Sequence, residues 1–222
     1  MKKTIILSLG GSLIIPKGID VTFLTRFRRY ILKNLKKYRF IIVTGGGSIC
    51  RHYVNSAMKI RKLNNEEADL LGIEITKLNA YFIALIFKNN VDNIVNNPTK
   101  KYEFNKILVA SGWKPGCSTD YDAVLFAKTY KVRKIINLSD INYIYDKDPI
   151  LGKAKKYERL SWDQLEKIQG KKWEAGLHKP FDPRAVSLAK KIGLKLIVIN
   201  GRDLYNLNNI LKNKKFKGTV VS

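Results

Sequence analysis

Two apolar runs that end in glycine clusters constrain this chain most. Ile5–Leu9 enters Leu9-Gly10-Gly11-Ser12, and Phe40–Val43 runs into Thr44-Gly45-Gly46-Gly47-Ser48. Each reads as a buried strand followed by a turn and a helix. The rhythm then repeats. Val21–Leu35 carries Leu24, Phe27, Ile31 and Leu35 on one helical face, and Ala68–Phe87 carries Leu71, Ile75, Leu78, Phe82 and Leu85. Ile107–Ala110 and Lys134–Leu138 are further strands, with a helix at Asp122–Lys128 between them. Ser161–Ile168 and Pro183–Ile192 are helical, Lys195–Ile199 is a strand, Leu204–Leu211 a helix and Gly218–Val221 a closing strand. Strands alternating with helices require right-handed crossovers and a mainly parallel sheet covered on both faces, a three-layer α/β/α sandwich. Ligands in such sheets bind beyond the carboxyl ends of the strands, where the glycine turns lie.

The 222 residues are 45% hydrophobic, enough for a full core. Cys50 and Cys117 are too few for a disulfide scaffold and lack the clustering of a zinc site, so no protein-held metal is expected. The opening Met1–Ile15 has the charged start and apolar run of a leader. Gly10-Gly11 and Pro16 interrupt it, no small-x-small cleavage site follows, and it reads as a strand. No other apolar run approaches a bilayer span, which predicts a cytoplasmic protein without a membrane. The 42 Lys and Arg against 18 Asp and Glu give a net charge of +24. A basic nucleic-acid-binding module is therefore one alternative. The lysines are scattered, however, and accompany an Ile-, Asn-, Tyr- and Phe-rich mix typical of A/T-rich coding, so specific nucleic-acid binding is not expected.

Neither glycine turn matches GxxxxGK[ST] or GxGxxG, but the pair suits phosphate, the second at a helix N-terminus. A third loop, Gly112–Ala123, contains Cys117-Ser118-Thr119-Asp120-Tyr121-Asp122. It reads either as a helix start with Thr119 as N-cap and Asp122 completing a capping box, or as a nucleotide loop with Asp120 near the reacting phosphates. Asn137-Leu138-Ser139-Asp140 and Tyr145-Asp146-Lys147-Asp148-Pro149 form a fourth loop, which reads either as a cradle for a second nucleotide or as an acidic turn. Pro180-Phe181-Asp182-Pro183 reads as an Asp N-cap with proline at the first helical position.

Taken in order, LGGS, the GGG turn, Asp69-Leu70-Leu71-Gly72 with Leu78-Asn79-Ala80, STD…A, YDKDP, PFDP and the closing GT resemble the UMP kinases of the amino-acid-kinase superfamily, closest to the archaeal-like branch. The resemblance implies one amino-acid-kinase domain over 1–222, with an acceptor part near 1–130 and an ATP part near 131–222. It implies transfer of the γ-phosphoryl of ATP, carried with Mg²⁺, to UMP in pyrimidine biosynthesis. It also implies a homo-oligomer, commonly a hexamer. By the same resemblance Asp120 and Asp182 are catalytic. Gly10, Gly11, Ser12, Gly47, Arg51, Ser139, Tyr145 and Asp148 face ATP, and Gly46, Asp69, Gly112, Ser118 and Thr119 face UMP. The chain departs from the family pattern at Ser8, where relatives carry lysine, and at Asn142-Tyr143, where they carry Asp-Gly. The replacement cation is sought among Lys179, Lys17, Lys114 and Arg51. The nearest rival is a relative acting on a carboxylate or an isoprenoid phosphate. His52 and His178 are given no role.

Overall fold

The computed structural model describes residues 2–147, 152–170 and 180–222. Its main sheet has eight strands: β1 (Lys3–Leu9), β2 (Tyr38–Thr44), β3 (Val91–Val95), β4 (Ile107–Ala110), β5 (Lys134–Ser139), β8 (Arg159–Leu160), β9 (Lys195–Asn200) and β10 (Thr219–Val221). The spatial order is β3-β4-β2-β1-β5-β9-β10-β8. Every pairing is parallel except β9 with β10. A separate antiparallel pair joins β6 (Ile144–Tyr145) to β7 (Lys156–Tyr157).

Among the described residues, eight α-helices complete the layers: α1 (Gly11–Ile14), α2 (Val21–Asn34), α3 (Gly47–Ile60), α4 (Asn65–Phe87), α5 (Thr119–Thr129), α6 (Trp162–Gln169), α7 (Pro183–Lys191) and α8 (Leu204–Leu211). The strand pleat sorts the core into two halves. Ile5, Leu7 and Leu9 of β1 pack with Phe27 and Ile31 of α2, Ile83 and Phe87 of α4, and Leu207 of α8. Ile6 faces the other way, into a cluster with Phe126 of α5, Leu165 of α6 and Val186 of α7. The apolar runs of β1, β2 and β5 lack alternation because both faces are covered.

α4 corrects two expectations. With the turn that follows it, Asn65–Asn90 is long and apolar enough by length and composition to cross a membrane, so an apolar run of spanning length does occur. It packs on β2, β3 and β4 as a core helix. Its buried face matches the predicted stripe only in part: Ile75 is buried, but Leu78 is 64% and Leu85 59% exposed, whereas Thr76, Asn79, Ala80, Ile83 and Ala84 are buried. Small and polar residues let the helix lie close to the sheet and to the turn after β2. Leu70, Leu78 and Leu85 point outward, while Ile73, Ile75 and Ile83 stay buried.

β1 sits at the centre of the order. From it the chain runs to β2 and β4 on one side, then crosses to β5 on the other. This reversal is the topological switch at which open α/β sheets bind ligands.

Candidate active site

A cleft of about 650 Å³ opens beyond the carboxyl ends of β2 and β4, within the range for small-molecule sites. α3 and α4 form one wall, and the turn after β2 together with the start of α5 forms the floor. Asp120 and Asp182 both line it.

Asp120 lies in the first turn of α5. Its Oδ1 accepts from Ser8 Oγ at 3.1 Å and from Asn137 Nδ2 at 3.4 Å. Ser8 and Asn137 face each other in register across β1 and β5, so the two central strands hold this carboxylate over the switch point. Burial, with a further contribution from the charge of Asp182, pushes the Asp120 carboxyl up to about 7, while the Ser8 hydroxyl pulls it down. Asp182 caps α7: its Oδ1 accepts from the N–H groups of Arg184 at 2.6 Å and Ala185 at 3.1 Å. Proline at the first helical position completes the N-terminus, as predicted. The Oδ2 of Asp182 is buried without a hydrogen-bond partner among the described residues.

The capping-box reading of α5 is corrected. Ser118, not Thr119, is the N-cap and accepts from the Tyr121 N–H at 3.1 Å. Asp122 is fully buried and accepts from the Trp113 N–H at 3.1 Å, tying the loop after β4 to α5. Burial first, then the charges of Asp120 and Asp182, pushes the Asp122 carboxyl up to about 8, against the Trp113 hydrogen bond.

The same loop is fixed at three more points. Asp69 Oδ2 accepts from the Gly116 N–H at 2.7 Å, the Gly112 N–H donates to Thr76 Oγ1 at 2.8 Å, and the Arg184 guanidinium donates to the Gly116 carbonyl. Asn79, buried on α4, donates to the carbonyls of Gly45 at 2.8 Å and Gly46 at 3.2 Å, and so shapes the triple-glycine turn from beneath. Thr76, Asn79, Asn137 and the loop-holding function of Asp122 escaped the sequence reading. Leu78-Asn79-Ala80, Asn137-Leu138-Ser139-Asp140 and the Asp122 capping box pointed to three of these residues, but to none of these contacts.

The glycine turns pack on each other. A Cβ on Gly11 would meet the Gly47 nitrogen at 1.9 Å, and one on Gly47, at φ +74°, the Gly11 carbonyl oxygen at 2.5 Å. At these two positions the missing side chains are demanded by the neighbouring turn itself.

The structure brings Gly46, Gly47, Arg51, Asp69, Gly112, Ser118 and Thr119 into the cleft with Asp120 and Asp182. Gly10, Gly11 and Ser12 do not line it. Gly10 donates to the Leu138 carbonyl at 2.9 Å, which stitches this turn to the end of β5 beside Ser139. Ser139 Oγ accepts from the Ile141 N–H at 3.2 Å, and Tyr145 lies on β6, both outside the cleft. Asp148, Lys179 and His178 lie outside the described residues. Of the remaining candidate cations only Arg51 lines the cleft. Lys114 instead stacks its ammonium 4.2 Å from the centre of the Trp113 ring, and Lys17 is exposed away from the cleft. Cys50 and Cys117, both free thiols, also line the cleft.

The sequence model of the amino acid kinase family matches residues 3–200. A uridylate kinase of Pyrococcus abyssi is 30% identical over 98% of this chain and 98% of its own length. One from Thermoplasma volcanium is 32% identical over 96% of this chain and 95% of its own. The crystal structure of the uridylate kinase from Archaeoglobus fulgidus superposes with a TM-score of 0.76 at 26% identity, covering 99% of this chain and 100% of the other.

Proposed function

This chain belongs to the amino acid kinase family, and from that premise we propose that it transfers the γ-phosphoryl group of ATP to UMP, giving ADP and UDP. The observation that carries the reading is the position of Asp120. It is held by Ser8 and Asn137 of the two central strands, over the switch point and on the floor of the cleft it shares with Asp182.

In this reading the cleft between α3, α4 and the loop after β4 takes UMP, with Gly46, Asp69, Gly112, Ser118 and Thr119 around it. The ATP phosphates lie along Gly47, Arg51 and the Gly10-Gly11-Ser12 turn. Ser139, Tyr145 and Asp148 serve the ribose and adenine. The hydrogen bond from Gly10 to the Leu138 carbonyl supports this division, since it joins the first glycine turn, packed on Gly47 of the second, to the end of β5, where an acceptor part (1–130) and an ATP part (131–222) of a single domain would meet.

The chemistry asks little of side chains. The UMP phosphate oxygen is already ionised at neutral pH, so attack on the γ-phosphorus needs no general base. In-line alignment and cancellation of charge on the equatorial oxygens suffice. The N–H groups at the start of α3 and the guanidinium of Arg51 supply positive potential. Asp120 and Asp182 orient the groups at the centre. No cluster of three acidic, His or Cys residues fit for a metal occurs among the described residues. The unpartnered Asp182 Oδ2 and the Asp120 carboxylate are hard oxygen donors of the kind that hold Mg²⁺ jointly with substrate phosphates. These two carboxyls would hold Mg²⁺ brought by ATP, which would supply charge neutralisation there.

A homo-oligomer is the expected assembly. Leu78, Leu85 and the 57%-exposed Tyr81 line the outer face of α4, with Tyr53, Met58 and Ile60 exposed on neighbouring α3, a run of apolar surface suited to a second copy. We place the enzyme in the cytoplasm, within pyrimidine nucleotide biosynthesis. A coupled ADP-release assay tests the reading: ADP should appear only with UMP present. A folded chain that releases no UMP-dependent ADP overturns it.

A further inference from the structure

The amino ends of β5 and β9 carry a second cleft, of about 360 Å³, that the kinase reaction does not use. It lies at the opposite end of the sheet from Asp120. β5 places Lys134 three residues before Asn137, which holds Asp120, so at ~3.3 Å per residue these two backbone positions are roughly 10 Å apart along the strand.

The register shows how it is built. Lys134 and Lys195 begin β5 and β9 and face each other directly. Two residues on, Ile197 points to the same face, opposite Val220, and Val220 is in turn opposite Arg159. The sheet therefore gives an apolar floor of Ile197 and Val220, flanked by Lys134, Lys195 and Arg159. Ile210 of α8 and the following segment, with Lys214 and Phe216, close the other side.

No acidic side chain lines this cleft, and none of its four cations joins an ion pair among the described residues. Like charges directly opposed across strands are destabilising. The cost is visible at Lys134, whose ammonium is pushed down by burial and by Lys3 and Lys195. A multivalent anion would relieve it. The partly buried ring of Phe216 and the apolar floor also suit a flat aromatic body attached to that anion.

We propose that this cleft is a second, non-catalytic binding site for a nucleoside polyphosphate, with the phosphate chain on Lys134, Lys195, Arg159 and Lys214 and the base against Phe216. A half-open cleft of this size, rather than a basic stripe, favours a free nucleotide over a nucleic-acid strand.

The test is equilibrium dialysis of AMP-PNP with Mg²⁺ at physiological salt and saturating UMP. Wild-type protein should bind two equivalents per chain, and the Lys134→Gln/Lys195→Gln protein one, with kcat and KM for UMP unchanged. A single equivalent in wild type overturns the proposal, as does an unchanged second equivalent in the variant. Arg159→Gln/Lys214→Gln, on the other side of the cleft, should weaken the second site at least tenfold, so the proposal stays testable should the strand variant fold poorly. Inorganic tripolyphosphate separates the two parts of the ligand. Phe216→Ala should weaken AMP-PNP at least threefold at this site and leave tripolyphosphate unchanged. Equal weakening of both, or of neither, removes the base from the site. Tight binding of a single-stranded oligonucleotide that AMP-PNP cannot displace would mean the cleft serves nucleic acid instead. None of these outcomes depends on the acceptor assignment, which the ADP-release assay tests separately.

Discussion

Three buried or half-buried aspartates meet where the sequence offered two catalytic candidates and a helix cap. Asp120 is held by two strands, and Asp182 both caps α7 and leaves one oxygen without a partner. The Asp182 cap was legible because N-cap and Pro geometry are local. The Asp122 contact was not, since its partner Trp113 is brought to it by the fold of the loop, and no short-range rule reports that. Asp120→Asn keeps the size and the hydrogen bond from Ser8, so the fold should persist. Turnover should fall by about 100-fold, ~3 kcal/mol on the barrier, in steady-state assays. Near-normal kcat in the folded variant would reduce Asp120 to a structural residue. Arg51→Ala should lower kcat at least tenfold (~1.4 kcal/mol) while Lys17→Ala and Lys114→Ala stay near wild type. The reverse pattern would move the missing positive charge to a lysine.

The raised carboxyls also fix a pH dependence. Unfolded, Asp120 and Asp122 titrate near the ordinary value of ~4. Folded, burial moves them to about 7 and about 8. Over that interval the folded chain binds more protons than the unfolded one, so both groups reduce stability as pH rises. Asp122→Asn keeps an acceptor for the Trp113 N–H and removes the buried charge. Its melting temperature relative to wild type should rise from pH 5 to about pH 8 and level off above it. A constant or falling difference would show that Asp122 is not a buried carboxyl of raised pKa.

At the scale of elements, the long apolar strands and the helices with one polar face could be read from sequence almost to the residue. Leu204–Leu211 is an example. What failed were elements without a one-sided pattern. β3 is an edge strand whose Val91-Asp92-Asn93 start looks like a loop, and β6, β7 and β8 have two residues each, too few for a period. α4 is apolar nearly all round, so spacing alone could not choose its face. Its outward Leu78 and Leu85 lead to a prediction: Leu78→Glu/Leu85→Glu should shift the protein to a smaller species in sedimentation velocity with its fold retained. An unchanged sedimentation coefficient would leave α4 out of the assembly.

The whole molecule is a basic sheet protein whose two ends carry different chemistry, carboxylates beyond the carboxyl ends of the central strands and unpaired cations at the amino ends of β5 and β9. The sheet order explains why function could be read before geometry. The glycine turns and the Asp120 loop are far apart in sequence, and the switch between β1 and β5 brings them together. The +24 charge describes the surface as a whole and does not choose a substrate. That choice rests on the cleft between α3, α4 and the loop after β4, and the acceptor panel tests it most directly. kcat/KM is measured by ADP release with UMP, CMP, dUMP, AMP, N-acetylglutamate and isopentenyl phosphate. UMP should exceed every other acceptor by at least about tenfold, ~1.4 kcal/mol of discrimination. Rapid turnover of the isoprenoid phosphate or the carboxylate with UMP inert would contradict the account.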